Sequence, residues 1–218
     1  MPESRTQFQQ NSSSSLRERH AAMTRTAILD AARVLFDRQG FAGTAVRPIA
    51  EEAGVAVQTI YSAFGSKQGI LLALVDTIRE QTDAPALWDQ IEDANDPLAI
   101  LRIAARLRCQ ILQRCGDIVA TFREGAAADR EVALAYEEGQ RRNREGIARM
   151  CARLHAIGAL RADLPVGRAV DQVAALFSAE VYEELTGHRS QWPATDYERW
   201  LFERLRDAIL GRSGAAGR

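Results

Sequence analysis

The chain has 218 residues, 46% of them hydrophobic and 26% charged, with 28 basic against 29 acidic side chains. This is enough apolar material for one globular domain plus a small accessory one, and the near-neutral balance argues against a protein that coats nucleic acid through bulk charge. No run of 18 apolar residues occurs and the polar start lacks the apolar core of a secretory signal, so a cytoplasmic protein without membrane attachment is expected.

Residues 1–15, rich in Gln, Asn and Ser, cannot close a core and are expected to form a disordered tail. A first helix is expected over residues 16–39, with Ile28, Ala31, Ala32, Leu35 and Phe36 as its inner stripe and Gly40 as its stop. Arg17, Arg19 and Arg25 near its start are placed to reach a phosphate backbone, although ordinary solvated arginines fit each of them equally well.

Two short helices follow around a tight turn. The first is expected over residues 45–53, with Thr44 as N-cap and with Val46, Ile49 and Ala50 facing inward. Gly54 supplies the positive φ that ends it, and Val55 pins the turn. The second is expected over residues 56–63, where Val57, Ile60 and Phe64 point to the core and Gln58, Thr59 and Tyr61 point out. Pro48 falls near the first turn, where its missing N–H costs little. Charge supports a contact surface here: residues 1–67 hold eight basic against six acidic side chains, while the rest of the chain is net acidic.

Thr44, Ile49-Ala50, Ala53-Gly54-Val55, Thr59-Ile60-Tyr61, Phe64 and Lys67 together resemble the helix-turn-helix signature of the tetracycline-repressor (TetR) family, over about a quarter of the chain. Three positions depart from it: Pro48 stands for a polar residue, Ala56 for the Ser or Thr cap of the recognition helix, and Gly69 weakens the next helix. The resemblance implies a DNA-binding role for Thr44, Arg47, Gln58, Thr59, Tyr61 and Lys67, with Gln58 and Thr59 reading bases and the other four holding phosphates. Lys67, the chain's one lysine, sits where the family places a phosphate contact. Capping of the following helix is the competing reading.

Beyond this head, taken as residues 16–66, the pattern predicts an all-α effector-binding and dimerisation body over residues 67–212 and a flexible tail over 213–218. A linking helix is expected over residues 67–82. Others follow over 97–114, 116–128, 130–157, 166–186 and 195–210, broken by Asp96-Pro97, Gly116, Gly158 and Trp192-Pro193. Cys109, Cys115 and Cys151 are odd in number and lack metal or redox spacing, so they read as small buried hydrophobes. With three scattered histidines, no metal site or cofactor is expected.

Val170, Val173, Phe177 and Val181 follow helical spacing, as do Leu201 and Leu205. By pattern alone these stripes suit an intramolecular core, whereas the resemblance implies a homodimer interface made by the last two long helices. It also implies a palindromic operator in double-stranded DNA and release by a small hydrophobic or amphipathic effector bound between body helices. Trp88, Cys109, Phe122 and Tyr136 are the candidate lining residues, with Arg106, Arg123 and Glu124 as polar contacts if they face inward. Ordinary core and solvated surface are the alternatives. The expected function is a ligand-responsive repressor, nucleoid-associated when bound to DNA. A DNA-binding adaptor of chromosome organisation or division would share the same contacts. A helical enzyme is disfavoured, because no nucleophile, base and carboxylate set is spaced for catalysis.

Overall fold

The computed structural model describes residues 4–211, with side chains from residue 17 onward. Ten helices occupy the described residues, and the nearest approach to a sheet among them is an isolated bridge between Leu160 and Leu210. The all-α expectation therefore holds. The proposed tail at 213–218 and residues 1–3 lie outside the described residues.

Helix α1 spans Ser4–Gly43 and breaks its path at Gly40, where φ is 73° and ψ 164°. The torsion requires glycine there, and an added Cβ, 2.7 Å from a Glu124 carboxylate oxygen, would only push that flexible side chain aside. The stretch expected as a disordered tail is helical from Ser4.

Helix α2 (Val46–Glu52) and helix α3 (Val57–Phe64) form the helix-turn-helix around Gly54, whose φ of +68° is the expected turn. Pro48 is the third residue of α2, in the first turn, where an N–H would have no intrahelical partner. Helix α4 (Lys67–Gln81) starts on Ser66, whose hydroxyl accepts from the Gly69 N–H. Gly69 is not merely a weak point. A Cβ there would lie 2.0 Å from the Phe64 carbonyl oxygen, so its absence lets the end of α3 pack on the first turn of α4.

The body adds α5 (Ala84–Asp93), α6 (Pro97–Ala128), α7 (Arg130–Ala156), α8 (Val166–Leu176), α9 (Ala179–Thr186) and α10 (Ala194–Ile209). Asp96 and Asp129 cap α6 and α7 by accepting backbone N–H groups. Three details differ from expectation. Helix α5 was not foreseen. The two helices expected on either side of Gly116 are one, bent at Cys115 (φ −134°, ψ 17°). The helix expected over 166–186 divides at Phe177-Ser178, where the Ser178 hydroxyl turns to the Glu180 carboxylate at 2.5 Å and so favours a break over continuation.

Two apolar cores organise the chain. One is built from α5, the first half of α6, and α7 to α10; the other joins α1 to α4 with the second half of α6 and the start of α7. The head therefore shares its core with the body through α6. Val170, Val173, Phe177, Leu201 and Leu205 are all buried in the first core, which corrects their assignment to a dimer interface. Val181 is half-buried. Their stripes face one another within a single chain, because α10 and α8 each pack on helices of the same body before any partner is needed. Cys109, Cys115 and Cys151 are buried free thiols, and burial pushes Cys109 up to about 11 and Cys151 up to about 12, so both pack as neutral small groups.

Candidate nucleic-acid interface

Helix α3 is held by its apolar side: Ile60 is fully buried, with Val57 and Phe64 packed beside it. That leaves Gln58, Tyr61, Ser62 and Ala63 exposed and Thr59 half-exposed on the opposite face. The bare end at Ala56 has no side-chain cap, as its sequence implied. Tyr61 is 47% exposed on this face and free to take part in a contact.

The neighbouring residues divide into those free to touch DNA and those used to aim α3. Arg47 projects from α2 with 82% of its side chain exposed and pairs only with Glu51, one turn on, at 2.9 Å. An exposed pair of this kind is worth a few tenths of a kcal/mol and yields easily to a phosphate. Thr44, by contrast, is only 2% exposed. Its hydroxyl lies 2.7 Å from the Gly40 carbonyl and 3.2 Å from that of Leu35, so it closes the α1–α2 corner and neither caps α2 nor faces a phosphate.

Lys67 completes that corner. Its ammonium donates to the Phe41 carbonyl at 2.7 Å and to the Thr44 carbonyl at 2.9 Å, and sits 4.3 Å from the centre of the Phe41 ring. Burial pulls it below the ordinary lysine value, opposed by Asp129 and Glu124. Two of its three N–H groups are thus spent on the fold, and one is left for a phosphate. Arg25 holds the C-terminal end of α3, donating to the Ala63 carbonyl at 3.2 Å and stacking 4.3 Å over the Phe64 ring. That role for Arg25 had no signature in the sequence, since an arginine of α1 meets α3 only after 38 residues of chain have folded back.

One ion pair and several hydrogen bonds tie the head to the body. Arg33 of α1 grips Asp117 of α6 with two bonds of 2.5 and 2.8 Å, and Gln68 of α4 donates to Asp129 at 2.8 Å. Hydrogen bonding from Gln68 and from the start of α7 holds the Asp129 carboxyl below its usual range. Glu124 accepts from the Ala42 N–H at 3.3 Å. A cleft of about 570 Å³ runs along this junction, lined by Phe36, Gly40, Asp117, Thr121 and Glu124 among others.

The four residues expected to line an effector pocket do not share one pocket but divide between the two cores. Trp88 lies on α5 with its indole against Gly146, and Cys109 donates to the Ala194 carbonyl at 3.4 Å in the body core. Phe122 and Tyr136 stack edge-on, centres 5.3 Å apart, in the other core. Each belongs to ordinary packing, because helical spacing marks a residue as inward without saying which interior it joins. Arg106 is exposed, and Arg123 pairs with Glu180.

Residues 28–74 match the family described as bacterial regulatory proteins, tetR family. The HTH-type transcriptional regulator TtgR from Pseudomonas putida is 39% identical over 82 residues, which is 38% of this chain and 39% of that protein. The match thus spans well under half of that relative's length. The solved fatty acid degradation regulator FadR from Bacillus halodurans superposes over 89% of this chain and 97% of its own, with a TM-score of 0.71 at 19% identity. A transcriptional regulator structure from Saccharomonospora viridis in complex with choline covers 86% of this chain and 98% of its own, with a TM-score of 0.70 at 21% identity. These two likenesses show the fold over most of the chain, and the match over 28–74 covers its head. Residues 28–74 thus match a tetR-family helix-turn-helix, carried on a fold shared with these two solved structures.

Proposed function

We propose that this chain is a sequence-specific transcriptional regulator, a ligand-responsive repressor that binds a palindromic operator in double-stranded DNA as a homodimer. The observation that carries this reading is the exposed polar face of α3, held at its C-terminal end by Arg25, while Lys67 at the start of the next helix ties that helix to the α1–α2 corner. Gln58 enters the major groove and pairs through its amide with adenine, while the Thr59 methyl meets a thymine methyl. Arg47 and Tyr61 hold phosphates, joined by the one unspent N–H of Lys67. Two copies related by a two-fold axis present their α3 helices about one turn of DNA apart, roughly 34–36 Å.

The choline complex of the S. viridis protein supports a small-molecule effector for this frame. Response to it follows from the core shared through α6: a ligand that shifts α6 within the body moves the surface on which the head rests, and so the spacing of two α3 helices. A preference of 1–3 kcal/mol between the two arrangements is typical for such a switch. Dimerisation uses faces of the last helices other than the buried stripes of Val173 and Leu201. Among the described residues no helix is long and apolar enough to cross a membrane, which accords with a cytoplasmic, DNA-associated protein.

Selection of bound sequences from random duplex DNA, with the salt dependence of the winning site recorded, tests the proposal. An enriched palindrome with a steep salt slope is expected. Absence of any enriched sequence from folded, dimeric protein overturns it.

A further inference from the structure

Three buried polar atoms on the packed pair α6 and α10 have no hydrogen-bond partner: the acceptor Oε1 of Gln110, and two donors, Nε of Arg108 on α6 and the hydroxyl of Tyr197 on α10. Tyr197 is fully buried, and its hydroxyl and the Arg108 guanidinium lie within electrostatic reach of each other without bonding. Among the described residues no carboxylate forms an ion pair with Arg108. Glu180, the acid that acts on it electrostatically, is already engaged by Arg123 and by the Ser178 hydroxyl, and the Tyr136 oxygen accepts from Gln140. Burial pulls Arg108 below its ordinary value, yet a guanidinium stays charged, so this half-buried side chain, with its Nε fully enclosed, is a cation without a counter-ion. Burial also pushes the Tyr197 phenol up to about 12, which keeps it a donor. Folded proteins pair buried charges, and an isolated one is a sign of a missing partner.

We propose that the Arg108 guanidinium and the Tyr197 hydroxyl are the polar anchor of an effector site that takes an amphipathic monocarboxylate. A carboxylate accepts two parallel N–H groups from the guanidinium and an O–H from the phenol, satisfying both orphans at once. One unpaired cation calls for one negative charge, which disfavours a phosphate dianion, and a cation such as choline has the wrong sign. The apolar remainder of the ligand has aromatic company. Tyr182 lies edge-on to Tyr197 with centres 4.8 Å apart, and Trp200 follows at 5.9 Å. Position links the site to the head. Cys109, the next residue along α6, packs in the body core, whereas Cys115 at the bend already packs in the core shared with α1 and α4. A ligand that draws Arg108 toward α10 therefore pulls on α6 just before its bend. This assignment rests on the ligand-responsive reading and names the chemistry of its ligand.

The test uses the whole chain and two probes of equal length, sodium decanoate and 1-decanol, read by thermal unfolding and by tryptophan emission, to which Trp200 contributes. Saturating decanoate is expected to raise the melting temperature of the native chain by about 3 °C or more, and 1-decanol by clearly less. Arg108→Met keeps length and apolar bulk. It is expected to melt at or above the unliganded native temperature, because an unpaired half-buried charge is gone, and to bind decanoate at least tenfold more weakly. Tyr197→Phe keeps the ring and is expected to weaken decanoate by about three- to tenfold. Equal or absent responses to the two probes, full decanoate binding by Arg108→Met, or a lower melting point for the unliganded variant each overturn the assignment. Neither readout needs DNA. If decanoate binds as described while no operator is selected, the regulatory reading fails and the site stands; if an operator is selected but decanoate is not preferred, the site alone fails.

Discussion

Lys67 and Arg47 are both cations beside α3, and the structure gives them different work. The Lys67 ammonium spans two backbone carbonyls of the α1–α2 corner, whereas Arg47 meets only a neighbouring glutamate in solvent. Lys67→Ala is therefore expected to lower stability by about 1.5–3 kcal/mol, the range for hydrogen bonds to a charged group, measured by urea denaturation. Arg47→Ala is expected to leave stability within about 0.5 kcal/mol while reducing the slope of log affinity against log salt by about 0.9 per subunit. An unmoved salt slope in Arg47→Ala would remove it from the phosphate contacts. Gln58→Ala is expected to lose about 1–3 kcal/mol of discrimination at one base position per half-site, read as relaxed preference in binding to singly substituted operators.

At the scale of elements, the angle between α3 and α4 is set by a glycine. The Phe64 carbonyl approaches Gly69 so closely that an added Cβ would lie 2.0 Å away, and both atoms belong to or sit on backbone that cannot swing aside. Gly69→Ala is expected to cost about 1–3 kcal/mol in stability, although alanine is the better helix former, and to weaken operator binding by tilting α3. A variant more stable than the native chain would show that the contact relaxes freely. Helix α6 has a comparable role at larger size. Its bend at Cys115 lets one helix serve two cores, so its two halves are packed by different sets of residues.

For the whole molecule, the question is how rigidly the head rides on the body. Besides the shared core, the Arg33–Asp117 fork spans the junction, with less than a third of either side chain exposed. A double-mutant cycle of Arg33→Met and Asp117→Asn is expected to give a coupling energy of about 1 kcal/mol in unfolding, toward the upper end for partly exposed pairs because the geometry is bidentate. Additive effects would mean that the apolar core alone holds the head. The same arrangement explains why an effector in the body has a route to DNA without any contact between ligand and head. Both cores grip one continuous helix.

The sequence by itself determined the features that depend on near neighbours. Gly54 with Val57, Ile60 and Phe64 specifies the turn and the buried side of α3, and therefore its exposed Gln58 and Tyr61, because helical spacing sorts residues three and four apart onto faces. The Asp96-Pro97 start of α6 was legible for the same reason. Helix α5 was not, since its single pair of fully buried anchors, Leu87 and Ile91, gives too short a pattern. Tertiary structure alone decided which interior each stripe joins: Val173 and Leu201 have the spacing of an interface and the burial of a core. It also decided that Thr44 and Lys67 position the head, that Arg25 stacks on Phe64, and that the half-buried Arg108 keeps an enclosed Nε without a partner. Each of these facts joins residues far apart in the chain. Local periodicity says which way a side chain turns, and only the packing of distant helices says what it finds there.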